Sequence, residues 1–94
     1  MDVLNKVATK IIKEQDLVIG PLAWREAGKV QGLHIDEQKG EVTISNGDPK
    51  AAVDRLVAQY ERLFGRASQE VCREAAASLI ANLPRTDVPA SLLA

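Results

Sequence analysis

Apolar residues recur through residues 49–83 at alternating steps of four and three: Val53, Val57, Tyr60, Phe64, Ala67 and Val71. At about 100° per residue, those steps hold the six side chains on one stripe of a helix. Beyond Val71 the stripe drifts to Ala75 and Leu79. Asp48-Pro49 supplies the start, a capping carboxylate followed by a proline in the first turn. Pro84 and Pro89 keep the residues after Leu83 out of regular helix. Gly65 interrupts the segment. A glycine costs about 1 kcal/mol relative to alanine inside a helix, and it can equally cap one helix while Ser68 starts another. The stripe crosses Gly65 without a phase slip, so the pattern favours one long or gently kinked amphipathic helix, with a break at Gly65 as the alternative.

Val3, Leu4, Val7, Ala8, Ile11 and Ile12 form a second helical stripe, with Asn5, Lys6, Lys10 and Lys13 on the other side and Asp2 placed to cap it. This helix is expected to end near residues 14–16. Leu17-Val18-Ile19 reads as a short β-favouring run closed by Gly20-Pro21, and Leu22 to Val30 as a short helix with Trp24 and Ala27 inward, with one helix over 3–30 broken at Gly20-Pro21 as the alternative. Leu33-His34-Ile35 and Val42-Thr43-Ile44 alternate apolar and polar on either side of a polar, Gly40-containing turn. That predicts a β-hairpin over about 33–45, with Leu33, Ile35, Val42 and Ile44 facing a core. Two strands are marginal alone, so helices must cover that face. Asn46-Gly47 then turns the chain into the long helix. The expectation is a single α+β domain over residues 1–83, with residues 84–94 as a proline-containing tail.

Composition sharpens this picture. The chain has 94 residues, 46% of them hydrophobic, yet only one Trp, one Tyr and one Phe. The core must therefore be aliphatic and thin, a kind that often gains stability from a second copy or a partner. Twelve Lys and Arg against thirteen Asp and Glu give a net charge of −1, which offers no global attraction for polyanions. One cysteine cannot form an internal disulfide, the start of the chain lacks a signal-peptide pattern, and no run approaches a bilayer span. The expectation is a cytoplasmic protein without membrane contact.

Candidate chemistry is sparse. His34 and Cys72 are isolated potential ligands, too few for a zinc site, and Cys72 abuts the apolar stripe as a small hydrophobe would. Asp36, Glu37, Glu41 and Asp48 read as turn chemistry, and the scattered glycines match no phosphate-binding motif. No catalytic residue, cofactor, metal or small-molecule ligand is expected. On a continuous helix, Arg55, Arg62, Arg66 and Arg73 would lie near one meridian opposite the apolar stripe. Arginine forks suit carboxylates and phosphates. The reading is a non-catalytic protein-interaction or regulatory module that forms a homodimer or binds an acidic partner. Its contacts are assigned to Arg62, Arg66 and Arg73 on the polar face and to Val57, Tyr60 and Phe64 on the apolar face. Nucleic-acid binding through the arginine face is the alternative.

Overall fold

The computed structural model describes residues 3–45 and 47–93. The expected cap at Asp2 and the Asn46 half of the turn lie outside these residues. In order, the elements are α1 (Val3–Ile19), α2 (Leu22–Ala27), β1 (Leu33–Asp36), β2 (Glu41–Ile44), α3 (Pro49–Phe64) and α4 (Arg66–Ile80). Two 3-10 turns follow, at Arg85–Asp87 and Ala90–Leu92. The fold is α+β, four helices around an antiparallel hairpin.

Helix α1 buries Leu4, Val7, Ala8, Ile11, Ile12 and Gln15. It does not stop near residues 14–16. Leu17-Val18-Ile19 completes its last turn, and Gly20, at φ +78°, ends it by donating its N–H to the Asp16 carbonyl (2.9 Å). Extending a formed helix adds a hydrogen bond per residue, and the penalty of β-branched residues is small beside that gain. An isolated three-residue strand would have no such bonds. Residues 17–19 therefore form no strand, and the chain follows the broken-helix alternative, with the break at Gly20-Pro21.

The hairpin forms in the expected register, Leu33 opposite Ile44 and Ile35 opposite Val42. Val42 is buried, and Leu33, Ile35 and Ile44 pack against the same core. Its attachment to α1 is polar as well as apolar. The outward N–H groups of Val42 and Ile44 donate to Thr9 Oγ1 (3.2 Å) and Asn5 Oδ1 (3.0 Å). Asn5 and Thr9 are one helical turn apart, so their spacing along α1 matches alternate residues of the strand. The Thr9 hydroxyl donates in turn to the Asn5 carbonyl (2.9 Å). The free edge of β2 is thus closed by helix side chains.

Asp48 caps α3 as expected, accepting from the Lys50 N–H (3.0 Å), with Pro49 in the first turn. The helix does not continue through Gly65. That residue has φ 88° and ψ −176°, donates its N–H to Glu61 and accepts from the Ser68 N–H, so it ends α3 and begins α4. Length explains the break. A continuous helix over 49–83 would extend about 50 Å, whereas the longest dimension of the molecule is 32 Å. Its second half would leave the core. The corner also resets the helical phase: Ala67 is exposed and Val71 only half-buried, while Ser68, Cys72, Ala75 and Ala76 face inward.

These small residues let α4 lie along α1. The two run antiparallel: Gln15 near the end of α1 meets Ser68 and Cys72 near the start of α4, while Val3 and Leu4 share a surface cavity with Leu83. Gln15 is fully buried, and its Nε2 donates to the Ser68 carbonyl (3.1 Å) and Cys72 Sγ (3.4 Å). Its Oε1 is buried and finds no hydrogen-bond partner among the described residues. Burial is the main influence on the Cys72 thiol and pushes its pKa up to about 11, against the opposing pull of the Gln15 hydrogen bond.

The tail packs back rather than hanging free. Val88, Pro89 and Leu92 are buried, and Asp54 on α3 accepts from both the N–H and hydroxyl of Ser91. The total accessible surface, 5544 Å², is close to the roughly 5300 Å² expected of a folded monomer of this mass. The chain closes its own core.

Two measurements check this architecture. The conformation of Gly65 lies in a region that only glycine adopts readily, and no atom approaches within 4 Å of the place a Cβ would take. Gly65→Ala should therefore lose about 1–3 kcal/mol in denaturant unfolding, purely from backbone strain. Cys72 has a folded pKa raised from 9.0 to about 11, so near neutral pH its thiolate fraction is about a hundredfold below that of the unfolded chain. Iodoacetamide should alkylate it only as fast as the protein opens, with the rate rising in denaturant; rapid native-state alkylation would contradict the burial. Because the unfolded thiol ionises first, stability should fall as pH rises above about 9, and Cys72→Ala should flatten that slope.

Candidate functional site

Breaking the helix at Gly65 divides the arginines. Arg55 and Arg62 belong to α3, Arg66 and Arg73 to α4, so the single arginine meridian does not form. Three of them serve local structure. Arg55 Nε donates to the Gln31 carbonyl (3.1 Å), closing the turn between α2 and β1. Arg62 donates to Gln59 Oε1 (2.6 Å), whose amide donates to Glu26 Oε1 (2.9 Å), and Lys29 pairs with Glu26 Oε2 (3.0 Å). This chain of polar contacts joins α3 to α2. The Lys29 and Gln59 hydrogen bonds hold the Glu26 carboxyl below its usual pKa. Arg73 pairs with Glu70 (3.0 Å) within α4. Arg66 is exposed at the start of α4.

The apolar half of the expected interface lies inside the molecule. Val57 is 1% exposed and Tyr60 0%, so in this conformation neither presents a surface to a partner. The Tyr60 hydroxyl donates to the Ala23 carbonyl (2.7 Å), and burial holds the phenol above its usual pKa. Phe64 is half-buried against the same core, as is Trp24. The four-three stripe of α3 is thus the seam by which this helix packs within its own domain.

Exposed apolar side chains lie instead near the end of α1, the start of α2 and the end of α3. Leu17 is 79% exposed, Val18 65%, Leu63 45% and Leu22 39%. The hydrogen bond from Tyr60 to Ala23 brings the last turns of α3 to the start of α2. The contacts of Gln15 with Ser68 and Cys72 bring the last turn of α1 to the start of α4. The α1–α2 and α3–α4 corners are therefore neighbours, and the four side chains are carried by them. In the sequence, the β-favouring character of Leu17-Val18 masks their exposed place on the last turn of a helix.

A second surface lies along the lysine-bearing face of α1, the face that also carries Leu17 one turn beyond Lys13. There the helix and the hairpin border an open, solvent-facing cleft of about 770 Å³, lined by Asn5, Lys6, Thr9, Lys10 and Lys13 from the helix. Lys39, Gly40, Glu41, Val42 and Thr43 contribute from the hairpin and Leu79 from α4. The helical lysines were legible as a polar stripe; their convergence with Lys39 depends on how the hairpin docks.

His34 is exposed on β1. Asp36 accepts from the Lys39 N–H and shapes the hairpin turn. Among the described residues, no three His, Cys, Asp or Glu side chains gather as a metal-binding group. Nor is any described helix long and apolar enough to cross a membrane. No known family model, curated protein or solved structure is significantly similar to the chain.

Proposed function

We propose that this protein is a non-catalytic interaction module that self-associates through the apolar end formed by the α1–α2 and α3–α4 corners. The observation that carries the reading is the exposure of Leu17, Val18, Leu22 and Leu63 at those neighbouring corners, in a chain whose core is already closed. Fully burying a large aliphatic side chain yields on the order of 1.5–3 kcal/mol, so a few such residues per copy roughly balance the 4–15 kcal/mol estimated cost of association. The resulting dimer is reversible and concentration-dependent, as suits a regulatory module. A cytoplasmic setting belongs to the same reading, supported by the single unpaired thiol. Binding rather than catalysis is supported by how the reactive side chains are used: Cys72 is sealed in the core, and the Tyr60 hydroxyl is committed to a backbone carbonyl. Nucleic-acid binding by an arginine face is not carried further, because the four arginines do not share one helix.

Sedimentation equilibrium over a range of concentrations tests the proposal. The expected result is a monomer–dimer equilibrium that shifts to monomer in Leu17→Lys and in Leu63→Lys. Both substitutions place a cation near a helix C-terminus, where it is tolerated, and circular dichroism should be unchanged. A monomer at every concentration, or a dimer indifferent to both substitutions, would overturn it.

A further inference from the structure

The cleft between α1 and the hairpin concentrates charge that the chain as a whole lacks. Four of the six lysines, Lys6, Lys10, Lys13 and Lys39, line it, although the net charge of the protein is −1. Among the described lining residues Glu41 is the one acid, and it is exposed. Glu14, just outside, pairs with Lys10 at 3.4 Å through side chains that are half and one-third exposed. Such a pair is weak and exchangeable, so Lys10 can be recruited by another carboxylate.

We propose that this cleft is a docking site for a short acidic segment of a partner protein, held extended along Lys6, Lys10 and Lys13 and closed at one side by Lys39. The spacing fits. Lys6 to Lys13 covers about 10 Å of helix axis, the length of about three residues of extended chain. Successive lysines rise by about 6 and 4.5 Å, within side-chain reach of carboxylates on alternate residues about 7 Å apart. The segment cannot add as a third strand on β2, because Asn5 and Thr9 already occupy the outward N–H groups of Ile44 and Val42. Recognition therefore runs through side-chain charge, which makes it tolerant of sequence and sensitive to salt.

The lining favours a peptide over a nucleic acid. Among the described residues it includes no aromatic on which a base could stack and no arginine to fork onto a phosphate. A long polyanion would also run past the cleft onto the remainder of the chain, which carries the excess of acid. A short segment ends where the positive potential ends, within a Debye length of about 8 Å at physiological salt.

The test is fluorescence anisotropy with a labelled peptide of alternating Glu and Ser, read beside an oligouridylate of equal charge. The peptide should bind saturably, and affinity should fall at least about tenfold between low and high salt. Lys10→Glu combined with Lys13→Glu should weaken binding at least about tenfold, the neutral pair Lys10→Gln and Lys13→Gln by less, and Arg62→Glu not at all. These lysines are at the surface, and unchanged circular dichroism checks that each variant folds. Leu63→Lys should bind the peptide normally, so a failure of self-association and a failure of this site are separable. No peptide binding, binding indifferent to the lysine substitutions, or tighter binding of the oligouridylate would each overturn the proposal.

Discussion

The rest of the structure depends on α1 presenting two different flanks at once. Its buried stripe packs on α2, α3 and α4, while its polar edge, through Asn5 and Thr9, holds the outer N–H groups of β2. A two-stranded hairpin is marginal in water, and an open strand edge invites pairing with another chain. The side chains of α1 remove both problems together. Because they bond alternate residues of one strand, they also fix the register and distance of the hairpin against the helix. That distance is what leaves a cleft beside Lys6, Lys10 and Lys13.

On its other flank α1 is matched by the small residues of α4. Ser68, Cys72, Ala75 and Ala76 allow close approach, and Gln15 gives the contact a polar anchor in an otherwise aliphatic interior. The fold can bring α4 there only because Gly65 turns the chain with a backbone conformation that other residues adopt at considerable cost. The same corner has a second consequence. With α3 ending at Phe64 and α1 running on to Ile19, Leu63 and Leu17-Val18 are left exposed in the last turns of these two helices. Both candidate surfaces are thus by-products of how α1 is engaged, one on its lysine side and one at its end.

Patterns with a short period were legible in the sequence. The apolar stripe of residues 3–12, the alternation of Leu33 to Ile44 and the Asp48-Pro49 cap all report local geometry, and all appear in the structure. What the sequence could not resolve were choices decided by distant partners. Leu17-Val18-Ile19 has β-favouring side chains, yet the helix already under way extends through it. The four-three stripe continues past Gly65, yet the size of the core forces the corner there, and with it the arginine alignment is lost. The roles of Asn5 and Thr9 are not legible in the sequence because their partners lie more than thirty residues away. The lysine cleft was half legible: Lys6, Lys10 and Lys13 are visibly on one side of a helix, but Lys39 joins them only through the docked hairpin.

The most direct test of the role given to α1 is amide hydrogen exchange at Val42 and Ile44. Their N–H groups point away from β1, so in a hairpin held only by its apolar face they would exchange quickly. If Thr9 and Asn5 hold them, both amides should be protected to nearly the same degree as the core amides of α1, exchanging only when that helix detaches. Fast exchange at Val42 and Ile44, with α1 still protected, would contradict the account.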